Sequence, residues 1–87
     1  MESSYEKIGR VIHFYSRAGV ATVELTLDVR KGDKIVVRGT TTEIEQTVDS
    51  MESDHTQLAT AQAGQTIGIK VVGRVRENDV VYRKRTA

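Results

Sequence analysis

The sequence predicts an all-β protein, built as a small closed antiparallel β-barrel of six or seven strands. Short segments rich in Val, Ile and Thr alternate between apolar and polar residues, which is typical of half-buried strands. Turn signals that contain Gly, Asn or Asp separate these segments at intervals of about ten residues. This regular spacing favours a barrel over a sandwich, because closure removes the exposed edges of the sheet.

The composition indicates one small globular domain with a thin core. The chain has 87 residues, and a chain of this length buries only ~60 to 65% of the surface that its unfolded form exposes. It contains no cysteine, which excludes disulfides and thiolate zinc sites. No apolar run approaches the ~18 residues of a membrane-spanning helix, and residues 1–5 are polar rather than signal-like. We therefore expect a cytoplasmic protein with no membrane partner.

The first two strands are predicted at residues 6–15 and 20–25, with a turn between them. The inward face of the first strand is ambiguous, because apolar residues occur on both of its faces. In the second strand Ala21, Val23 and Leu25 share one face, which we expect to line the core.

The central strand is predicted at residues 34–38, directly after the turn Lys31-Gly32-Asp33. Glycine permits a positive φ and aspartate can hydrogen-bond nearby backbone, so this tripeptide favours a chain reversal. The β-branched run Ile35-Val36-Val37 then favours a pleated strand, which Gly39 ends.

Residues 40–62 fit two interpretations. Five side chains recur there at the 3.6-residue period of an amphipathic helix: Ile44, Val48, Met51, His55 and Leu58. The run Thr40-Thr41-Thr42 and an alternative period of two favour a strand instead, because β-branched residues lose rotamer freedom in helices. The residues alone leave the two interpretations nearly even.

The last two strands are predicted at residues 66–72 and 80–84, joined by a polar connection. Ile67, Ile69 and Val71 share one face of the first of these.

Three segments make up the predicted domain organisation. We expect a flexible N-terminus at residues 1–5, a single barrel domain at residues 6–84 and a basic tail at residues 85–87.

The charges are unevenly distributed, although the net charge is only +1. No Lys or Arg occurs between Gly39 and Ile69, where five of the 12 acidic residues lie. The basic residues are therefore concentrated around the central and last strands, where we expect a patch that could neutralise phosphates. The candidate RNA-binding residues are Arg30, Lys31, Arg38, Arg74, Arg76, Arg83, Lys84 and Arg85.

The sequence indicates no catalytic site, metal site or cofactor. His13 and His55 are the only histidines, and an acidic neighbourhood makes a metal or general-base role for His55 conceivable. An ordinary solvated loop histidine is the better explanation for His55, and His13 lies beside aromatic residues on a strand. A phosphate-binding loop that ends in Gly-Lys-Ser or Gly-Lys-Thr is absent, so we expect neither nucleotide binding nor enzymatic activity.

Four stretches in register resemble the second domain of the translational GTPases, the β-barrel of elongation factor Tu and bacterial initiation factor two. They are GVATV at 19–23, VRKGDKI at 29–35, VDSM at 48–51 and AQAGQTIGI at 61–69. The motifs HFY at 13–15 and EQTVDSM at 45–51 resemble stand-alone elongation-factor-like proteins, and the chain is also similar to the C-terminal barrel of collagenase-like peptidases. The resemblance favours a strand at residues 42–50, followed by a loop and a short strand near Leu58.

The resemblance implies a non-enzymatic, translation elongation factor-like binding module in protein biosynthesis. Its expected partners are rRNA, tRNA or a ribosome-bound factor. The acidic pair that elongation factor Tu carries near its aminoacyl-adenosine pocket is replaced here by Gly9-Arg10-Val11, so no pocket residue carries over. The alternative is a detached accessory barrel that binds a substrate or a partner, such as a collagenase-like peptidase subunit.

Overall fold

The computed structural model describes residues 5–84, which form ten β-strands and no helix. Residues 1–4 of the expected flexible terminus and the whole tail at 85–87 lie outside the described residues. The strands are β1 (Tyr5–Tyr15), β2 (Val20–Leu25), β3 (Val29–Arg30), β4 (Lys34–Arg38), β5 (Glu43–Thr47), β6 (Met51–Ser53), β7 (Thr56–Leu58), β8 (Thr60–Ala61), β9 (Thr66–Lys70) and β10 (Val80–Lys84). In the described part of the chain, no helix is long and apolar enough to cross a membrane.

Eight strands form one antiparallel sheet in the order β5-β4-β10-β1-β2-β9-β6-β7, and β3 pairs with β8 in a second, two-stranded sheet. The prediction of an all-β fold is confirmed. Within residues 5–84 the outer strands β5 and β7 are not paired with each other, so the closed barrel of six or seven strands is not confirmed. The chain passes from β5 to β6 through Val48, whose amide donates to the Asp33 carbonyl and whose carbonyl accepts from the Gly32 amide.

The interior is filled by apolar side chains from several strands. Ala21, Val23 and Leu25 are buried as predicted, and so are Ile67 and Ile69 on the neighbouring strand β9. These residues belong to a single apolar cluster that also includes Met51 of β6. The exposed–buried alternation of β2 and β9 therefore reports correctly which face each strand turns inward.

Two register shifts explain why the first strand shows no clean alternation. Pairing of β1 with β10 shifts between Lys7 and Gly9, and pairing with β2 shifts between Val11 and His13. A β-bulge inserts one extra residue and changes which side chains point inward. Ile8 and Val11 are consequently both fully buried, although they would lie on opposite faces of a regular strand.

Residues 40–62 form strands, so the amphipathic helix is excluded. β5 ends at Thr47, and a two-residue hairpin joins β6 to β7 where we had expected a loop. Asp54 and His55 occupy its tip with φ values of 50° and 65°, which is the backbone of a type I′ turn. The apparent 3.6-residue period arises from residues of three short strands and of the segments between them, including the exposed turn residue His55, rather than from a helix.

The Gln46 side chain fastens the outer strand β5, which pairs with β4 on one edge only, to the end of β9. The Gln46 amide nitrogen donates to the Lys70 carbonyl at 2.9 Å, and its oxygen accepts from the Val72 amide at 2.8 Å. Ile44, also on β5, packs against Gly73, where an added Cβ would lie 3.1 Å from its Cδ1 atom. Side chains of β5 thus connect this strand to residues 70–73, with which it forms no backbone ladder.

Candidate binding surface

Two connections build one end of the large sheet: the β1–β2 turn at residues 16–19 and the β9–β10 connection at residues 71–79. The Val71 amide donates to the Gly19 carbonyl at 2.9 Å, which ties the two connections together. Gly19 has φ 69°, a conformation that most other residues adopt only with strain. The β1–β2 turn therefore holds a defined position against the β9–β10 connection.

The β9–β10 connection is fixed by buried groups at both of its halves. Val75 is almost fully buried and belongs to the apolar core. Asp79 is also buried, and its carboxylate accepts from the Arg76 amide at 2.9 Å, while the Arg76 carbonyl accepts from the Asp79 amide at 3.1 Å. Asn78 has φ 76°, and its amide donates to the Val11 carbonyl at 2.7 Å. This irregular segment is consequently as well anchored as a strand.

Arg74 and Arg76 lie on either side of the buried Val75 and are both exposed. Other arginines of the described chain form ion pairs with carboxylates: Arg10 with Glu24 at 3.3 Å and Arg38 with Glu43 at 3.6 Å. Within residues 5–84, no such pair includes Arg74 or Arg76. These two guanidinium groups therefore form no ion pair with a carboxylate of the described chain.

Both of these arginines line an open pocket of about 680 Å³, which we call the arginine pocket. The residues that define it are His13, Phe14, Ser16, Arg74, Arg76 and Glu77. The His13 Nδ1 atom lies 3.5 Å from a Glu77 carboxylate oxygen, and both side chains are at least half exposed. Ser16 forms no hydrogen bond to His13 in the described part of the chain, so a serine–histidine nucleophile pair is not assembled here.

Exposed apolar side chains adjoin the arginine pocket. Tyr15, the last residue of β1, is 54% exposed, and Val72 of the β9–β10 connection is 74% exposed. The Tyr15 ring meets the His13 ring edge-on, with 4.3 Å between the ring centres. This end of the sheet thus combines positive charge with apolar area, which is the mixture that protein-binding surfaces display.

A second open pocket of about 580 Å³ runs over β9, between the β1–β2 turn and the β6–β7 hairpin. Tyr15 and His55 lie along it together with Glu52 and Asp54, and Gly68 forms part of its floor. Across the described residues, no group of three or more His, Asp or Glu side chains is arranged to hold a metal ion.

Arg83, one of the predicted RNA contacts, is engaged inside the protein. Its side chain is 17% exposed and contacts three carboxylates, those of Glu6, Asp28 and Asp33. Two of its nitrogens bind the same Glu6 oxygen at 3.0 and 2.5 Å, and a third donates to the Asp28 carbonyl at 2.5 Å. Desolvation lowers the pKa of Arg83, but the Glu6 hydrogen bond and the three carboxylates outweigh it, so the pKa is raised overall.

The predicted basic residues do not form one patch. Arg30 and Lys31 are exposed near Asp33, whose carboxylate accepts from the Arg30 amide at 2.8 Å. Arg38 is paired with Glu43, Lys84 is exposed at the end of β10, and Arg85 lies outside the described residues. Glu6, the partner of Arg83, and His13 of the arginine pocket are seven positions apart on β1, roughly 20 Å in a strand. The structure therefore brings Arg74 and Arg76 together and leaves the others elsewhere.

Sequence reasoning selected the two arginines but missed the rest of their surroundings. The alternation Arg74-Val75-Arg76 was a readable signal, because flanking polar residues around a buried one turn to the same side. The approach of Phe14 and Ser16 depends on the backbone bonds between the two connections, for which the sequence carries no comparable signal.

The chain is similar in sequence to known proteases. No protein-family model matches it. It is 42% identical over 83 residues to an uncharacterized protease of Methanocaldococcus jannaschii, over 92% of this chain and 20% of that protein. It is 37% identical over 78 residues to a collagenase of Porphyromonas gingivalis, over 87% of this chain and 22% of that protein. The chain thus spans about a fifth of the length of these relatives.

Solved structures agree with this relationship at the level of the fold. The C-terminal domain of a Geobacillus thermoleovorans protein assigned to the U32 peptidases superimposes with a TM-score of 0.85 at 20% identity, over 92% of this chain and 93% of that chain. The selenomethionine variant of that domain gives a TM-score of 0.84 at 24% identity, over 91% of this chain and 99% of that chain.

The expected function in translation is wrong. The relatives are proteases and collagenases and the matching structures are peptidase C-terminal domains, which does not support an elongation factor-like, RNA-binding module or partners such as rRNA and tRNA. The motifs that suggested it, such as Lys31-Gly32-Asp33 and Ala63-Gly64-Gln65, specify turns, and turns of this kind serve a barrel whatever it binds. The resemblance to the C-terminal barrel of collagenase-like peptidases is the one that the comparisons support.

Proposed function

We propose that the chain is a C-terminal-type domain of the collagenase-like U32 peptidases and serves as a non-catalytic module that positions a protein substrate or partner. The observation that carries this proposal is the 42% identity to an archaeal protease over nearly the whole chain, joined to the fold of a peptidase C-terminal domain. A shared fold alone would not indicate a function, but identity at this level links the chain to one protein class.

A positioning role fits the side chains better than a catalytic one. His13 and His55 line two different pockets, and each is open to solvent. A general base needs a proton donor within hydrogen-bond reach, and among the described residues neither histidine has a serine or threonine hydroxyl as a hydrogen-bond partner. Hydrolysis would then be performed by another part of a peptidase.

The surface that suits this role is the end of the sheet formed by the arginine pocket with Tyr15 and Val72. It joins charge, apolar area and a fixed backbone, so a bound segment would meet a preformed site. Binding energy gained at a site remote from the bond that is cleaved raises the turnover of substrates long enough to reach that site. Short substrates do not reach it and are unaffected.

A chimera of the Porphyromonas gingivalis collagenase tests this function. Three versions would be compared: the intact protein, a version without the segment that matches this chain, and a version that carries residues 5–84 of this chain there. We expect the shortened version to cleave a short synthetic peptide at a near-normal rate while collagen cleavage falls by about tenfold or more. The chimera should recover most of the collagen cleavage.

Thermal unfolding of each version separates loss of function from loss of folding. A shortened version that remains folded but cleaves neither substrate would contradict a purely positioning role, because the segment would then take part in the chemistry. A folded chimera that cleaves collagen no better than the shortened version would also refute the proposal for this chain.

A further inference from the structure

Arg74 and Arg76 form no ion pair among the described residues and lie two residues apart on a segment held by buried groups, which suggests a specific ligand. We propose that the arginine pocket binds an extended acidic segment of a protein, in which carboxylate side chains occupy alternate positions. This inference rests on the proposed function and adds to it the chemistry of the bound protein.

The spacing of the two arginines carries the argument. Arg74 and Arg76 are two residues apart, with Val75 buried between them, and both line the same pocket. Because Arg74 and Arg76 are second neighbours along the chain, their Cα atoms are at most about 7 Å apart. An extended ligand presents its own alternate side chains at the same interval. A Glu-x-Glu segment could therefore place one carboxylate on each guanidinium.

The arginines are also prepared for this interaction. Guanidinium groups donate two parallel hydrogen bonds to a carboxylate, which gives stronger and more directional binding than an ammonium group. Their backbone is held by the Asp79 carboxylate and by the bond from Asn78 to Val11. Binding thus orders only two side chains and leaves the loop as it is, which limits the entropic cost.

The rest of the pocket favours a protein ligand over a nucleic acid. Phe14 forms a half-buried wall, and Val72 adds a largely exposed apolar side chain next to Arg74. Glu77 places a negative charge in the same pocket. A continuous polyanion would meet this carboxylate, whereas a peptide can place an apolar residue against Phe14 and its carboxylates against the arginines.

The test uses a fluorescein-labelled peptide with the repeating sequence Glu-Val-Glu, and a counterpart in which each Glu is Gln. Binding to the full chain is measured by fluorescence anisotropy at low salt. We expect the Glu peptide to bind, the Gln peptide to bind at least tenfold more weakly, and the double variant Arg74→Ala/Arg76→Ala to lose about tenfold in affinity for the Glu peptide.

The double variant Arg30→Ala/Lys31→Ala is the matched control. It removes the same charge from exposed residues outside the pocket, so affinity should stay within about twofold of the original chain. All four side chains are exposed, and the unfolding temperature should not change in either variant.

Several outcomes would overturn the inference. These are no binding of the Glu peptide, equal losses in the two double variants, or a single-stranded RNA that displaces the peptide and depends on the same arginines. If the peptide fails to bind while the collagenase chimera recovers activity, the ligand chemistry is wrong and the positioning role stands. If the peptide binds but the chimera does not recover collagen cleavage, the acidic ligand of the arginine pocket is supported and the positioning role is refuted.

Discussion

Replacement of Arg83 by methionine should destabilise the protein by about 2 to 3 kcal/mol. The side chain is mostly buried and makes three hydrogen bonds, two to the Glu6 carboxylate and one to the Asp28 carbonyl. Hydrogen bonds to charged groups contribute about 1.5 to 3 kcal/mol each when well buried, but exposed ion pairs contribute about 0 to 1 kcal/mol. Glu6 is 28% exposed and Asp28 is 60% exposed, so the total lies between these limits.

Urea unfolding measures this loss as a lower midpoint at an unchanged slope. For a domain of this size, 2 to 3 kcal/mol corresponds to a fall of roughly 10 to 20 °C in melting temperature. Arg83→Lys is the matched control, because it keeps the charge but loses the forked contact; we expect about half of the effect. A change below about 0.5 kcal/mol in the methionine variant would refute the view that this arginine is structural.

The pH dependence of this contribution follows from the direction of the pKa shift. Desolvation alone would lower the pKa of Arg83 in the folded state. The hydrogen bond to Glu6 and the neighbouring carboxylates outweigh it, so the pKa is raised overall. A raised pKa gives stability that is present below the unfolded pKa and is lost only above it, far into the alkaline range. Charge loss on Arg83 itself should therefore contribute no change in stability between pH 5 and pH 9, and a midpoint in that range that the methionine substitution abolishes would contradict this.

Three further substitutions test other contacts. Gln46→Ala removes both hydrogen bonds between β5 and the segment after β9, and should cost about 1 to 2 kcal/mol in urea unfolding and speed amide exchange at Val72; unchanged exchange there would contradict the fastening role. Gly39→Ala would place a Cβ far inside van der Waals contact with an Asp79 carboxylate oxygen, so it should lower the free energy of unfolding in urea by about 2 kcal/mol or more; an unchanged urea midpoint would contradict this. Replacement of residues 54–55 by Asn-Gly should stabilise the protein by about 1 kcal/mol, because both positions have positive φ; a lower urea midpoint would refute this.

The sequence predicted best the strands that follow a clear turn signal. The bounds of β2, β4 and β10 agree with the predicted segments, because apolar β-branched residues mark these strands and turn residues precede each of them. The inward face of β1 could not be read, because its two bulges depend on pairing with strands far along the chain. Residues 40–62 fitted both a helix and strands for a related reason, because apolar residues of short strands and of the turns between them can recur at about the helical period.

Charge could be located along the chain but not in space. Arg83 and Arg76 look alike in the sequence, and each lies beside apolar residues near the last strand. Their roles differ because Glu6, Asp28 and Asp33 converge on Arg83, and these three come from parts of the chain that only the fold brings together. The distinction between a structural arginine and a binding arginine is therefore a tertiary property.

The pairing of β1 with β10 has a consequence for how this domain can be attached to a larger protein. Tyr5 faces Lys84 across the two strands, so both ends of the described chain lie side by side at one end of the sheet. The arginine pocket lies near the far end of β1, on the order of 20 Å away. A tethered domain of this design would present its pocket outward, away from its point of attachment, where a long flexible protein can reach it without steric interference from the tether.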